Sequence, residues 1–322
     1  MSESIENEYN VPYEENVDVD KSKKICSFIP SVTQIINALG LEEHLVGVTF
    51  ECPSEKPAVI HSKLEHLDLS NAQINEKIKW HQSNNIPVNT IDKALLEKLQ
   101  PDVIFTQELC NVCQIGEDDV CRTLEDLGME VALYSLNPKS FGDVEETILL
   151  VSEVLGEVEK GKALLAKLKA EIKPITNQLL KGKAILKEVS FLEWFHPMFS
   201  AGHWIPDQIM MAGGVDRLSN PHGKSEVISI EKLEDYDPEV IVISPCGMSF
   251  EEAKNQMEQI DLQAQLKELR AWKNKQVYLA EGSLFTQPAT GLYDGVALLA
   301  ALFYPEEFSV PTHLKASIIN LT

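Results

Sequence analysis

Apolar positions are sparse over the first 24 residues of the 322-residue chain, and the pattern changes abruptly after them. Ile25-Cys26-Ser27-Phe28-Ile29 is a short apolar run that predicts a buried strand. Ser31 stands where a helix cap is needed, residues 32–39 have helical spacing, and Gly40 is a natural stop. Residues 45–50 predict a second strand, with Pro53 and Pro57 marking a loop after it. Residues 62–84 are polar and weakly periodic, and predict no element. Further on, the spacing predicts a helix over 91–99, a strand over 102–106, a helix over 120–127 stopped by Gly128, and a strand over 131–134. Apolar strands alternating with helices are the mark of parallel sheets in an α/β architecture.

Residues 141–180 break that alternation. They read as helical nearly throughout, with Gly156 and Pro174 as breaks. The alternation then restarts: strands over 184–191, 240–244 and 276–280, helices over 205–211, 250–259 and 290–303. The expected fold is therefore two Rossmann-like α/β lobes joined by a long rigid helix. The expected division is an acidic tail (1–24), a first lobe (25–140), a connecting helix (141–180) and a second lobe (181–322). One echo supports lobes built alike: Glu97-Lys98-Leu99 leads to Pro101-Asp102-Val103-Ile104, and Glu231-Lys232-Leu233 leads to Pro238-Glu239-Val240-Ile241. Each reads as a short helix, a proline and a strand.

Charge and composition narrow the function. The formal net charge is −22, and residues 1–20 contribute seven acids and no Lys or Arg. Such a surface repels phosphate backbones and anionic headgroups, so neither nucleic acid nor a membrane surface is expected as partner. No run approaches the roughly 18 apolar residues of a membrane span, so no membrane insertion is expected. Residues 1–20 lack the basic start and apolar stretch of an export signal, so the chain is expected in the cytosol, with its six cysteines mostly reduced.

Candidate chemistry gathers where strands end. After residues 45–50 come Glu51 and Cys52; after 102–106 come Gln107, Glu108, Cys110 and Cys113. After 184–191 come Glu193, Trp194, His196, His203 and Trp204; after 240–244, Cys246; after 276–280, Glu281, Phe285 and Gln287. In open α/β sheets ligands sit at the carboxyl ends of strands. Aromatic rings there suit stacking on a flat ligand face. Cys110-x-x-Cys113 has the spacing of a paired metal site, which Cys52 and His203 would complete as a three-Cys, one-His set. Set against this, two loop cysteines need carry no chemistry, and buried tryptophans are usually core anchors. There is no Gly-x-Gly-x-x-Gly after a strand, no P-loop, no Gly-x-Ser-x-Gly and no His-Glu-x-x-His.

In order along residues 25–305, the chain resembles the cobalamin-binding members of the class III, helical-backbone substrate-binding proteins of ABC importers, whose relatives also bind siderophores and haem. The resemblance rests on Ser27-Phe28-Ile29-Pro30-Ser31-Val32-Thr33-Gln34-Ile35, Leu45-Val46-Gly47-Val48 with Glu51-Cys52, and Pro101-Asp102-Val103-Ile104 through Cys113. It continues in Glu193-Trp194, Ala201-Gly202-His203-Trp204, Ala212-Gly213-Gly214-Val215 and Pro245-Cys246-Gly247. It implies a non-catalytic protein that holds cobalamin or a related corrinoid between its lobes. Trp194, Trp204 and Phe285 would offer apolar faces. Gln107, Glu108, Glu51 and Glu193 would be rim groups, and His203 or a thiolate of Cys52, Cys110 or Cys113 would face the metal. It implies an ABC importer or a cofactor-handling enzyme as partner, and with no export signal a cytosolic carrier or sensor. Two other readings stand beside it. One is a zinc protein or zinc-dependent enzyme on Cys52, Cys110, Cys113 and His203, with Glu51, Glu108 or Glu193 as general base. The other is an interaction module with a vestigial cleft.

Overall fold

The structure, a computed structural model, describes residues 23–52, 54–64, 67, 69, 71–84, 86–107, 115–182 and 184–322. The acidic tail expected over 1–24 therefore lies almost wholly outside the described residues, as do Glu108, Cys110 and Cys113.

In the first lobe, β1 (Ile25–Ser27), α1 (Pro30–Ala38), β2 (Leu45–Thr49), β3 (Ala58–Ser62) and α2 (Asn71–Ser83) are followed by β4 (Asn89–Ile91) and α3 (Lys93–Leu99). Then come β5 (Val103–Gln107), α4 (Glu117–Leu127) and β6 (Ala132–Leu136). The sheet order is β4-β3-β2-β1-β5-β6, parallel except for β4 against β3. Central β1 is fully buried, as the apolar run Ile25-Cys26-Ser27 requires. Helix α1 begins one residue before Ser31. Pro30 fills its first turn, where a fixed φ and a missing N–H cost nothing, so Ser31 lies inside the helix and is buried. The weakly periodic stretch does form a helix, α2. None of its described side chains is fully buried, and Trp80 is 55% exposed, so no apolar stripe was there to read.

The middle of the chain is two helices, α5 (Phe141–Val154) and α6 (Val158–Gly182), packed against each other. The chain turns between them at Gly156. Pro174 does not interrupt α6. It removes the amide that would bond the carbonyl of Ala170, but Ala170 is exposed and water can serve that carbonyl.

The second lobe contains β7 (Lys187–Phe195), β8 (Met198–Ser200), β9 (Gly202–His203), α7 (Ile205–Met211), β10 (Gly214–Val215) and β11 (Asn220–Pro221). It continues with α8 (Ile230–Tyr236), β12 (Val240–Ile243), α9 (Phe250–Glu258), α10 (Leu262–Leu266), α11 (Arg270–Lys273), β13 (Val277–Ala280), α12 (Gly291–Phe303) and β14 (Ile318–Asn320). Its main sheet runs β10-β7-β12-β13-β14, with β8 folded back on β7 and β14 antiparallel to β13. The internal echo is structural. Helices α3 and α8 both end on a left-handed residue, Gln100 (φ 47°) and Asp237 (φ 44°), directly before the proline that opens the strand.

The lobes share one apolar core. A single buried cluster runs from Ile25, Val32 and Phe105 through Val144, Ile148 and Leu168 to Phe191, Trp204 and Leu299. Polar ties reinforce it. The Asp207 carboxylate on α7 accepts from the Phe141 amide at 2.9 Å, and Tyr293 on α12 donates to Glu145 on α5 at 2.7 Å. Lys169 on α6 pairs with the same Glu145 carboxylate at 2.6 Å. A close-packed core resists shear, so the lobes are held by packing rather than by a hinge.

Candidate functional site

The strands of each main sheet that run parallel present their carboxyl ends together, and the two sets face one another. Helix α1 leaves the carboxyl end of β1, and the loop holding Gln287 leaves that of β13. The Gln34 amide donates to the Gln287 side-chain oxygen across the gap. At another point Gln256 on α9, which follows β12, donates to the Leu69 carbonyl in the loop after β3 at 3.1 Å. Beside these bridges lies a cavity of ≈ 530 Å³ between α2 and the β7–β8 hairpin. Glu76 and Lys79 line it from the first lobe. Phe195, His196, Pro197, Met198, Ile228, Ile230 and Gln265 line it from the second. An apolar floor with a few polar groups at the rim is the usual character of a small-molecule site.

On the first lobe, Glu51 and Cys52 follow β2. The Cys52 amide donates to the Thr49 carbonyl at 3.0 Å, and its thiol donates to Thr33 Oγ1 at 3.2 Å. Burial pushes that thiol up to about 11 despite the two hydrogen bonds, so it stays protonated. Gln107 ends β5, half-buried and in register with Leu136.

On the second lobe, β7 runs further than expected, to Phe195, so Glu193 and Trp194 lie within the strand and not in a loop. Glu193 organises the end. Its carboxylate accepts from the Gly202 amide at 2.7 Å and its carbonyl accepts from the Cys246 amide at 3.1 Å. Gly202 is required there, because a Cβ would lie 2.5 Å from the Ser225 nitrogen. His203 follows in a left-handed conformation (φ 51°), its amide bonded to the Gly223 carbonyl. Its ring Nδ1 is buried without a hydrogen-bond partner, and burial, with the charge of Lys224, lowers its pKa, so the ring is neutral. Trp194 is half-buried on the hairpin and donates to the His196 carbonyl at 3.2 Å.

The stacking role expected of Trp204 and Phe285 needs correction. Trp204 is 4% exposed and Phe285 is fully buried. The indole donates to the Phe285 carbonyl at 2.6 Å, and Phe285 packs on Phe191 with ring centroids 5.0 Å apart. Both rings belong to the shared core, because α7 and α12 close over them. Of the proposed metal set, Cys110 and Cys113 lie outside the described residues, and Cys52 and His203 sit on different lobes. Among the described residues no group of three or more His, Cys, Asp and Glu is gathered to hold a metal ion. Gln34, Gln256 and Thr33 join the site although isolated polar residues on helices carry no signal in the sequence.

Two lobes with facing strand ends, a rigid common core and a mixed apolar and polar gap define a ligand-binding protein of the two-lobed type. The profile of the periplasmic binding protein family matches residues 25–284, and the chain belongs to that family. It is a non-catalytic binder, as substrate-binding proteins of ABC transporters are. It is 24% identical over 292 residues to the uncharacterised ABC transporter substrate-binding lipoprotein YvrC of Bacillus subtilis, covering 89% of this chain and 81% of the relative. Its fold matches the periplasmic vitamin B12-binding protein BtuF of Vibrio cholerae at a TM-score of 0.64 and 19% identity, covering 89% of this chain and 98% of that one. It matches the periplasmic haem-binding protein RhuT of Roseiflexus equally well, at 0.64 and 18% identity, covering 88% and 98%. These likenesses overturn the cytosolic expectation: the family is one of periplasmic proteins and the Bacillus relative is a lipoprotein. Among the described residues no helix is long and apolar enough to cross a membrane.

Proposed function

We propose that this protein works outside the cytoplasm, captures a metal chelate of the corrinoid or related tetrapyrrole type in the gap between its lobes, and presents it to an ABC importer. The observation that carries the reading is the facing pair of strand-end sets, bridged by Gln34 and Gln287 and backed by a core common to both lobes. A core common to both lobes limits the ordering cost of binding, which suits capture of a scarce ligand. The solved vitamin B12-binding and haem-binding relatives favour this ligand class. On this reading Glu51, Gln107 and Glu193 are rim groups, Trp194 is the aromatic face, and His203 is the neutral imidazole within reach of the chelate. Purified protein is titrated with aquocobalamin, hemin and a ferric hydroxamate, followed by visible absorption and calorimetry. Saturable one-to-one binding of aquocobalamin or hemin supports the reading, and binding of the ferric hydroxamate alone overturns the tetrapyrrole assignment. No saturable binding of any of them sinks it.

A further inference from the structure

The chain is acidic as a whole, but one stretch is not. Residues 158–187 carry eight lysines and two acids in a protein of net charge −22. Most of these lysines lie on α6. Lys160, Lys162, Lys169 and Lys187 pair with Glu157, Glu159, Glu145 and Glu239. Lys167, Lys173 and Lys181 are exposed and have no ion pair among the described residues. They stand on the outer side of the helix, away from the stripe of Gly161, Leu165, Leu168 and Ile172 that α6 buries.

Apolar side chains lie open at the carboxyl end of the same helix. Leu180 is 77% exposed and Ile185 is 89% exposed, with Leu186 and Met210 also exposed. Tyr304 draws these segments together. Its hydroxyl lies 2.9 Å from the Ile185 carbonyl and 2.8 Å from that of Gly213, whose amide donates to the Met210 carbonyl. Scattered exposed apolar residues are ordinary, but several in one place mark a surface that something covers. A cavity of ≈ 640 Å³ opens on this face, lined by Pro174, Asn177, Gln178, Lys181, Gly182 and Glu307.

The chain itself supplies a complementary segment. Residues 1–20 hold seven acids and no Lys or Arg. Lys23 donates to the carbonyl of Val154 at 3.0 Å, so the segment before it starts beside the amino end of α6. The 25 residues of α6 span about 37 Å. The 22 residues before Lys23 reach about 70 Å when extended, enough to pass the whole helix. Glu14, Glu15, Asp18 and Asp20 lie near the anchor, and Ile5, Tyr9, Val11 and Tyr13 lie further out. The lysines and the apolar patch follow in that same order along α6. Surface ion pairs are individually weak, but tethering gives the segment a high effective concentration at this face. A second copy fits worse, because two-fold contact through α6 would set these lysines against their own counterparts.

We infer that the outer face of α6 is the docking surface of this chain's own N-terminal segment. Its acids lie along Lys167, Lys173 and Lys181, and residues 5–13 cover the apolar patch. The inference is independent of what the gap binds.

The test uses the full chain at micromolar concentration and low salt. A carbodiimide joins touching carboxylates and ammonium groups as amides, and peptides of the isolated monomer are mapped by mass spectrometry. The tail acids are expected on Lys167, Lys173 or Lys181 at least fivefold more often than on exposed Lys232 and Lys275. That yield is expected to fall at least threefold in 0.5 M salt, where surface charges are screened, and in the double variant Leu180→Ser, Ile185→Ser. Tail cross-links spread evenly over the lysines, or none at all, overturn the inference. Cross-links found only in dimers overturn it too and give the face to a second copy. An unchanged yield in the double variant overturns the docking on the apolar patch.

Discussion

Trp204→Phe isolates a single polar contact within the shared core. The substitution keeps a large aromatic ring but removes the indole N–H, which donates at 2.6 Å to the Phe285 carbonyl. Both residues are buried, so no bulk water replaces that donor. Leaving a buried carbonyl without its donor costs about 1–3 kcal/mol. Trp204→Ala, which also empties the volume of the ring, is expected to cost about 3–5 kcal/mol. The assay is equilibrium urea unfolding followed by far-ultraviolet circular dichroism, since removing one of four tryptophans changes the fluorescence baseline. Because the core is continuous across the lobes, one transition is expected, with a lowered midpoint and an unchanged slope. Chelate affinity of folded Trp204→Phe should stay close to wild type, because the ring does not face the gap. A stability loss below about 0.5 kcal/mol, the scale of ordinary surface substitutions, would refute the burial argument. Lost binding at unchanged stability would put the ring back in the ligand site.

Three further outcomes follow from the same geometry. Burial pushes the Asp216 carboxyl up to about 6, against the lowering effect of the Phe191, Leu218 and Ser219 amides. The folded state therefore holds its proton to higher pH than the unfolded chain, whose carboxyl titrates near about 4, and this contribution favours folding at low pH and fades as pH rises through about 4 to 6. Melting of wild type beside Asp216→Asn across that interval should show wild type losing ground, and parallel curves would refute it. Burial also pushes the Cys26 thiol up to about 12 and that of Cys52 up to about 11. Iodoacetamide at mildly alkaline pH should label half-exposed Cys121 and Cys246 before buried Cys26 and Cys52, and peptide mass spectrometry finding Cys52 labelled at the same rate would contradict its buried bond to Thr33. In Gly161→Ala the new Cβ would collide with Ser152 Oγ, where α5 and α6 touch. The expected net loss is about 1–3 kcal/mol in urea unfolding, outweighing alanine's better helix propensity, and a more stable variant would show that the helices can separate freely.

Much of the architecture was legible in the order of residues, for reasons local to each element. The runs that became β1, β2, β5 and β12 are short and apolar because both faces of a central parallel strand are covered. The Pro-acid-Val-Ile repeats mark equivalent units because a left-handed helix end followed by proline can only turn into an extended strand. Other elements left no local trace. Helix α2 has no buried stripe, and β9, β10 and β11 are two residues each, held by partners distant in the chain. The extension of β7 through Glu193 and Trp194 is set by its pairing with β8 and β12, not by its own composition.

The site divides along the same line. Sequence alone determined that acids, amides, thiols, imidazole and aromatic rings collect after strands, since strand ends are recognisable from apolar runs and prolines. Only the tertiary structure decided which of them face the gap. Trp204 and Phe285 stand just past strands and Trp194 near the end of one, yet helices α7 and α12 fold over the first two and bury both. Gln34 and Gln287 are 253 residues apart and meet only because two separately formed lobes dock on one core. Burial and docking are sums over many distant contacts, and no window along the chain contains them.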